Sequence, residues 1–568
     1  MSESEVPLNR PVPHSTHGFE IAEPLTRTTP QPSHAGRSLG PGFDLSLYLV
    51  TGRDLLPHGK SYLASLEEAL RGGVTVVQVR EKSVDTAEFL EIARDTVSLC
   101  AGYDVPVIIN DRVDIALASG AAGAHLGQTD MPFAIARKLL PPSAIVGVSC
   151  ATPEQARRAV EDGADYVGLG AVYATSTKDV SAPGRVCGIA GVRAMLSVLE
   201  GTGVKAVAIG GIKSTNLLRT LHGCASPTGH TLDGVAVVSD IVASPEPQAA
   251  ARRLVQAFRA WAAAASRGPT AFLVTPEQKA RYTPEAIAAA AAALVDTVRR
   301  VRPLVHQITN NVVKTQSANV TLALGGSPIM AEAEAEQADL ARMPGGLLIN
   351  FGTIDALDGM LAAGSHANQN GKPVVFDPVG VGATSFRRAT AAKLLDAWQP
   401  TVIKGNAAEI GELADSNEVK AQGVDSLGGF ANASGVVRSL ARNHRCIVLL
   451  SGPIDYLSDG STVIRMSNGH ELLGQITGAG CVLGTTISTF CGAASMATSS
   501  ISEGALVQGD MLLATAAGTL ALTIAAQRAA SREEVRGPGT FLPALIDELA
   551  MLTPEIILRM ARIEVELE

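Results

Sequence analysis

The chain has 568 residues, enough for roughly two to four domains of about 100 to 200 residues each. Its formal net charge is −9, and no segment concentrates Lys and Arg as a nucleic-acid-binding surface would. Its 7 cysteines are scattered and form no CxxC pair, which favours a reduced protein over a disulfide framework or a zinc site. We therefore expect a cytoplasmic protein that does not bind nucleic acid.

The first 42 residues are rich in Pro, Ser and Thr and hold no periodic apolar stretch. Such a segment buries too little apolar surface to fold alone, so we predict a disordered tail over 1–42. The tail also lacks the apolar core of a secretory signal, and its acidic residues argue against a transit peptide.

Between residues 43 and 262, eight short apolar runs end in polar residues and are separated by helical stretches. Strand and helix alternating eight times predict an α/β fold, the (β/α)8 TIM barrel, whose ligand sites lie beyond the strand C-termini. The predicted strands are Leu45–Val50, Val74–Val77, Pro106–Asn110, Gly123–Asp130, Ile145–Ser149, Tyr166–Gly170, Ala206–Gly211 and Gly234–Ser239.

The second of these strands leads into Gln78, Arg80 and Lys82, which alternate and so point to one side. In isolation, this run is more typical of a solvated strand exit. Beyond a barrel strand, however, an amide and two cations suit a phosphate or diphosphate.

Two acids follow neighbouring strands, Asp111 after the third and Asp130 after the fourth. Carboxylate oxygens are ligands that Mg²⁺ prefers, and the cations Arg80, Lys82 and Lys178 would balance a bound diphosphate. Two threonine hydroxyl groups and the loops after the seventh and eighth strands add further anion contacts, because this fold often binds phosphate on those loops and glycine lets backbone N–H groups approach an anion closely. These positions are Thr175, Thr177, Gly210, Gly211, Val238 and Ser239.

On these motifs the segment 43–262 resembles thiamine phosphate synthase. The resemblance implies that a pyrimidine diphosphate loses pyrophosphate and is captured by the nitrogen of a thiazole phosphate. It assigns Asp111 and Asp130 to Mg²⁺. It assigns the pyrimidine diphosphate to Gln78, Arg80, Lys82, Asn110, Ser149 and Lys178, and the thiazole phosphate to Thr175, Thr177, Gly210, Gly211, Val238 and Ser239.

A change of composition near Ser266 predicts a connector over 263–294 and a second domain over 295–568. In this domain the turn Thr477–Cys481 is rich in glycine and opens a helix, which directs free N–H groups at one point. Cys481 is placed there to accept a proton, and the helix N-terminus can lower its thiol pKa. A buried, inert thiol is the alternative for a lone cysteine in such a turn.

The second domain resembles hydroxyethylthiazole kinase, with the ribokinase-like fold, on its Gly-rich turns and on the run from His306 to Met330. The resemblance implies that ATP is the co-substrate and that Cys481 is the catalytic base. It assigns the thiazole alcohol to Met330 and Gly478, ATP to Lys404 and Ser451, and Mg²⁺ to Asp377 and Glu409.

The two resemblances support each other, because the kinase would make the thiazole phosphate that the synthase consumes. We therefore expect a bifunctional thiamine-biosynthesis enzyme with small-molecule substrates; a non-catalytic sensor or scaffold for thiamine precursors is the alternative. By resemblance we also expect a homo-oligomer, trimer-based and up to a hexamer or larger. The most apolar stretch, Met511–Ala526, is shorter than a membrane span and predicts a core helix instead.

Overall fold

The computed structural model describes residues 43–177, 185–265, 282–416, 418, 429–499 and 504–567, and the backbone of 420–422 and 425–427. The expected tail, Lys178 and residues 266–281 of the expected connector lie outside these ranges.

Eight parallel strands close into a barrel in sequential order, which confirms the predicted (β/α)8 fold. Strands β1–β8 are Leu47–Val50, Val76–Val79, Val107–Asn110, Gly123–Leu126, Ile145–Cys150, Tyr166–Leu169, Lys205–Ile209 and Gly234–Val237. Helices α1–α9 are Tyr62–Arg71, Thr86–Ala101, Val113–Ser119, Phe133–Leu139, Pro153–Asp162, Gly188–Leu199, Leu217–Gly223, Ser239–Val242 and Pro247–Ala265.

Local sequence explains where several barrel helices begin. Ser61, Asp85 and Thr152 each precede a helix, and each side chain accepts a hydrogen bond from the backbone N–H three residues later. Such N-caps satisfy donors that have no partner within the helix. Helix α6 differs, because Cys187 at its N-cap position makes no such bond.

The barrel interior is a packed core below the site. Tyr48, Val76, Ile108, Tyr166 and Val207 are buried there, and a larger apolar layer lies between the strands and the outer helices. At the C-terminal mouth of the barrel, Gln78, Arg80 and Asn110 line a cavity.

The second domain contains a nine-stranded sheet in the order β10-β9-β11-β12-β13-β16-β17-β18-β19. The first six strands in this order are parallel, and the last three pair antiparallel. Strands β9–β19 are Leu304–Ile308, Ser327–Ile329, Gly345–Asn350, Val374–Asp377, Val402–Gly405, Lys420–Gln422, Asp425–Leu427, Ile447–Leu450, Asp455–Ser458, Val463–Met466 and Ile563–Glu566; β14 and β15 form a separate hairpin.

Helices cover both faces of this sheet, with an apolar core on each side. This layered arrangement confirms the predicted ribokinase-like α/β domain. Helices α10–α20 are Pro284–Val301, Lys314–Leu324, Gln337–Arg342, Leu357–Gln369, Ser385–Ala397, Ala407–Leu413, Ala433–His444, Ala479–Ala497, Met511–Ala530, Pro538–Ala550 and Pro554–Met560.

Helices α17 and α18 are long and apolar enough to span a membrane, but they are mostly buried inside the protein, 78% and 83% of their most apolar windows. They pack in the core on one face of the sheet. The prediction of a core helix from Met511 is therefore confirmed, and the helix continues to Ala530.

Candidate active sites

The mouth of the barrel holds a cavity of about 170 Å³. It gathers ten of the predicted residues, because the carboxyl ends of all eight parallel strands meet there. They are Gln78, Arg80, Asn110, Ser149, Thr175, Thr177, Gly210, Gly211, Val238 and Ser239. The amide nitrogen of Asn110 is buried without a hydrogen-bond partner, so it is available to a ligand.

Two glycines after β7 shape one side of the cavity. Gly210 and Gly211 have φ angles of +103° and +67°, which other residues rarely adopt. A Cβ added at Gly210 would lie 2.6 Å from the Cβ of Ala171, and one added at Gly211 would lie 2.7 Å from the carbonyl oxygen of Ala174. In the same cavity, Thr175 Oγ1 and Thr177 Oγ1 are 2.9 Å apart. Glycine backbone and paired hydroxyl groups thus line the cavity together.

The predicted acids lie at the rim. Lys82 donates a hydrogen bond to Asp111, and its side chain does not line the cavity. Asp130 accepts a hydrogen bond of 2.8 Å from the backbone of Gly127. Burial, and then the neighbouring Asp111 carboxyl, raise the pKa of Asp130. Two carboxyl groups this close repel when ionised, and a divalent cation relieves that repulsion.

This pair therefore fits Mg²⁺ as an incomplete shell of oxygen donors that water and a diphosphate can fill. The described residues contain no cluster of three or more His, Cys, Asp or Glu side chains that could hold a metal alone. A site completed by its substrate agrees with that finding.

A buried polar network that the sequence does not predict lies beneath the cavity. His125 lies between two partners, with Nε2 2.9 Å from Ser149 Oγ and Nδ1 3.0 Å from Tyr166 OH. Tyr166 OH is 2.7 Å from Tyr48 OH, which accepts a 2.8 Å hydrogen bond from Gln78 Nε2. The network joins Gln78 to Ser149, two residues assigned to one substrate. The only sequence signal was a histidine on a strand of the barrel.

In the second domain, the carboxyl ends of six neighbouring parallel strands bring the predicted kinase residues to one edge of the sheet. This edge is where ligands bind in open α/β sheets. Across it, in sheet order, lie Met330 after β10, Asn310 after β9, Asn350 in β11, Asp377 in β12, Lys404 in β13 and Ser451 after β16.

A buried ion pair occupies the centre of this edge. Lys404 Nζ lies 2.9 Å from Asp377 Oδ1, and Asn350 donates to Asp377 Oδ2 at 2.7 Å. Burial opposes the charged form of Lys404, but Asp377 and Glu409 outweigh it and raise the lysine pKa. A firmly charged lysine therefore lies at the point where a nucleotide would bring negative charge.

Glu409 holds two loops together beside this pair. Its Oε1 accepts from Gly380 N at 2.9 Å, and its Oε2 accepts from Asn406 N at 2.8 Å in a capping box of α15. Each carboxylate oxygen can accept a further bond. Asp377 and Glu409 therefore fit Mg²⁺ chemically, as neighbouring hard oxygen donors with remaining coordination capacity.

The glycine-rich turn ends at α17. Gly478 has a φ of +81°, and an added Cβ would lie 2.1 Å from Val313 Cγ1, so glycine is required. An added Cβ at Gly480 would lie 3.5 Å from Lys404 Nζ, which places the turn against the ion pair. Cys481 Sγ accepts a 3.3 Å hydrogen bond from Asn310 Nδ2.

The expected lowering of the Cys481 pKa is wrong. Burial first, and then the charge of Asp377, raise the thiol pKa, although Lys404 and the hydrogen bonds from Asn350 and Asn310 oppose this. Desolvation of the thiolate exceeds the stabilisation by Lys404 and by the two amide hydrogen bonds. The sequence reveals the helix N-terminus but not the burial of the thiol.

Ser451 and Met330 lie at opposite ends of this edge. The backbone and hydroxyl of Ser451 both donate to Gly405 O, at 2.9 and 3.2 Å. Beside Met330, His306 Nε2 lies 2.8 Å from Ala331 O, and burial lowers the histidine pKa to about 4. His306 therefore fixes the chain next to Met330 as a neutral, packed residue.

Comparison with known proteins divides the chain at the same place. Residues 47–241 match the family model described as thiamine monophosphate synthase, and residues 295–555 match the model of the hydroxyethylthiazole kinase family.

Relatives of similar length match both halves together. The "Thiamine biosynthetic bifunctional enzyme" of Saccharomyces cerevisiae is 37% identical over 546 residues, covering 90% of this chain and 96% of the relative. The "Probable thiamine biosynthetic bifunctional enzyme" of Schizosaccharomyces pombe is 40% identical over 527 residues, with the same coverage. A "Hydroxyethylthiazole kinase" of Desulforudis audaxviator is 40% identical over 47% of this chain and 92% of its own length.

Proposed function

The chain belongs to the family of bifunctional thiamine biosynthetic enzymes, and we propose that the residues of its two sites carry the two reactions in the roles that follow. The kinase half phosphorylates 4-methyl-5-(2-hydroxyethyl)thiazole with ATP. The barrel couples the thiazole phosphate to 4-amino-2-methyl-5-hydroxymethylpyrimidine diphosphate and releases pyrophosphate. The non-catalytic alternative receives no support from the comparisons.

In the barrel, the pyrimidine diphosphate is held by groups beyond the second, third and fifth strands. Arg80, Lys82 and the free amide of Asn110 bind the diphosphate, and Asp111 and Asp130 would hold Mg²⁺. Mg²⁺, when bound, supplies positive charge against the leaving pyrophosphate. Gln78 and Ser149 contact the pyrimidine and the adjoining diphosphate, in orientations set by the His125–Tyr166 network.

The thiazole phosphate occupies the opposite side of the cavity. Thr175 and Thr177 donate hydroxyl groups, while Gly210, Gly211, Val238 and Ser239 present backbone N–H groups to the phosphate. The ring nitrogen then faces the carbon that loses pyrophosphate, and a new C–N bond replaces the broken C–O bond. Lys178 is proposed from the resemblance to join the diphosphate contacts; it lies outside the described residues.

In the kinase half, Met330 and Gly478 contact the thiazole alcohol, and Lys404 and Ser451 contact ATP. Asp377 and Glu409 would hold Mg²⁺, which would supply positive charge to the phosphates. The hydroxyl oxygen attacks the γ-phosphorus, its proton passes to Cys481 in the thiolate form, and ADP leaves. The position of the thiol at the glycine-rich turn, 3.3 Å from the Asn310 amide, supports this role.

The observation that carries the whole proposal is that one chain contains both sets of residues at the strand ends of two complete folds. The test is an assay with ATP, thiazole alcohol, pyrimidine diphosphate and Mg²⁺. We expect thiamine phosphate, and its formation should depend on ATP only when thiazole alcohol replaces thiazole phosphate. A sensor or scaffold would form no product in either mixture.

We further propose a cytoplasmic homo-oligomer built on trimers. The kinase half exposes apolar side chains near its thiazole side, Val312 at 66% and Leu322 at 59%, which supports burial against a second copy. Sedimentation equilibrium of the purified chain would test this, since a monomer at micromolar concentration contradicts it.

A further inference from the structure

A kinase-half side chain caps a barrel helix. Helix α14 ends beside the barrel, and Asp396 Oδ1 accepts a 3.0 Å hydrogen bond from Ala190 N, the third residue of α6. Acceptors at this position are normally supplied by the N-cap residue of the same helix. Here Cys187 makes no such bond and the first turn of α6 contains no acid, so Asp396 supplies both acceptor and negative charge.

The barrel is shaped to admit this carboxylate. Gly188, at the start of α6, has a φ of +65°. An added Cβ there would lie 2.3 Å from Asp396 Oδ2 and 2.8 Å from Oδ1. Glycine at this position therefore allows both the positive φ angle and the close approach of the Asp396 carboxylate from the other half.

A second contact fixes the same end of α14. Arg219, which is 5% exposed in barrel helix α7, donates from Nη2 to the carbonyl oxygens of Leu395 at 2.8 Å and Asp396 at 3.2 Å. Its Nη1 donates to Gln399 Oε1 at 3.2 Å. A cation at a helix C-terminus is favourable, and these bonds satisfy carbonyls that have no partner in α14.

Residues next to both contacts bond the segment that lines the synthase cavity. Immediately before α6, Cys187 N donates to Ala171 O at 2.8 Å, which ties the start of the helix to the end of β6. Next to Arg219, Thr220 Oγ1 lies 3.1 Å from Tyr173 OH. The segment 171–177 carries Thr175 and Thr177, so elements that contact Asp396 and Arg219 support it on both sides.

We propose that Asp396 of the kinase half is a positioning residue for thiazole phosphate in the synthase site. It acts by capping α6 and so holding the segment 171–177, and it touches no substrate. The inference rests on the proposed contacts of Thr175 and Thr177. It implies that the synthase site needs the kinase half as a structural support as well as a source of substrate.

The test uses the full chain, with thiazole phosphate and pyrimidine diphosphate supplied. Asp396→Ala should raise KM for thiazole phosphate by up to about tenfold, the fold-change that corresponds to the free energy of one N-cap. KM for pyrimidine diphosphate and the rate of thiazole phosphorylation should stay within about twofold of the parent values, since the residues that bind those substrates lie outside the segment 171–177. Asp396→Asn should restore most of the affinity, because Asn caps helices almost as well as Asp.

Two further variants separate positioning from general damage. Asp339→Ala removes an exposed kinase carboxylate whose ion pair among the described residues is with Arg342 on its own helix, and it should change neither KM. Gly188→Ala should mimic Asp396→Ala, and the double variant should be no worse than the worse single variant, because both break one contact.

The outcomes are distinguishable. An unchanged KM for thiazole phosphate in Asp396→Ala overturns the inference, as does an equal rise in both KM values, which indicates a general structural effect. Thr177→Ala tests the proposed contact itself. If Thr177→Ala weakens thiazole phosphate binding and Asp396→Ala does not, only the inference fails; if Thr177→Ala has no effect, the proposed function of this loop fails first.

Discussion

Lys404 and Asp377 form a buried ion pair at the centre of the kinase site, with Nζ 2.9 Å from Oδ1 and side chains only 4% and 0% exposed. Neither charge has access to water, so each depends on the other. Asn350 and Glu409 complete the surroundings. Such a pair contributes little net stability, yet removing one partner is costly because the other charge stays buried.

Lys404→Met should therefore abolish thiazole phosphorylation and lower the stability of the kinase half by about 3 to 5 kcal/mol. Differential scanning calorimetry would follow the kinase transition. Adding Asp377→Asn should recover much of the stability but none of the activity, since no unpaired charge remains. Lys393→Met is the matched control, because Lys393 is an exposed lysine of α14. An unchanged transition in Lys404→Met would contradict the mutual dependence of the pair.

Asp111→Asn and Asp130→Asn should each cripple coupling in the barrel, because each removes charge that would hold Mg²⁺ against the leaving pyrophosphate. Phosphorylation of the thiazole alcohol should continue. Asp114→Asn is the control, since that acid is exposed and pairs with Arg112. Coupling within about threefold of the parent, roughly 0.7 kcal/mol of barrier, in both variants would show that the metal assignment is wrong.

Tyr166→Phe should raise KM for pyrimidine diphosphate by about threefold to tenfold, because it removes the hydroxyl that bonds both His125 and Tyr48 and so breaks the network in the middle. Gln78 and Ser149 would then lose their shared orientation. Tyr62→Phe is the control, because it also removes a buried hydroxyl, but that hydroxyl bonds Thr96 and lies outside the network. Steady-state kinetics should show a higher KM for pyrimidine diphosphate in Tyr166→Phe than in Tyr62→Phe. Equal KM values in the two variants would show that Tyr166 contributes to stability and not to substrate binding.

Cys481→Ala should lower the rate of thiazole phosphorylation by about 10² to 10⁴, the usual contribution of a positioned base. The loss should fall mainly on turnover, because Met330, Gly478 and the nucleotide contacts remain. When thiazole phosphate is supplied directly, the variant should still make thiamine phosphate. Cys491→Ala, which removes a buried thiol from the same helix, should retain the parental rate. Near-parental phosphorylation by Cys481→Ala would exclude the base role.

Acid should destabilise the contact between the halves through His222. Its Nε2 lies 3.1 Å from Gly504 O, and burial, with the charge of Arg445, lowers its pKa from 6.5 to about 3. Between those values the unfolded chain binds a proton that the folded chain does not. The contribution of neutral His222 to the free energy of unfolding is therefore fully present above pH 6.5. It decreases as the pH falls below that value, by at most about 1.4 kcal/mol per pH unit.

His222→Gln should weaken this dependence, since glutamine can donate to Gly504 O without taking up a proton. Calorimetry at pH 7.5, 6.5 and 5.5 would measure the difference in transition temperature. His306 and His444 also have pKa values lowered to about 4, so part of the acid sensitivity should remain in the variant. A variant as acid-sensitive as the parent would show that His222 is not a contributor.

The sequence alone determined both folds and most of the candidate site residues. Apolar runs that end in polar residues reveal parallel strands, and parallel strands bring their carboxyl ends to one edge. Gln78, Asn110 and Asp377 could therefore be assigned to sites before any contact was known. Glycine-rich turns such as Gly210–Gly211 and Gly478 could also be recognised in the sequence, because glycine adopts positive φ angles far more readily than other residues.

Only the tertiary structure decided how these residues affect one another. The His125–Tyr166 network exists because closure of the barrel brings the two side chains together across its interior. The direction of the Cys481 pKa follows from burial, which no local pattern shows. Asp396 caps a helix whose third residue, Ala190, is 206 positions away in the chain. Contacts of that separation leave no periodicity or spacing in the sequence, since they depend on how two folded halves pack.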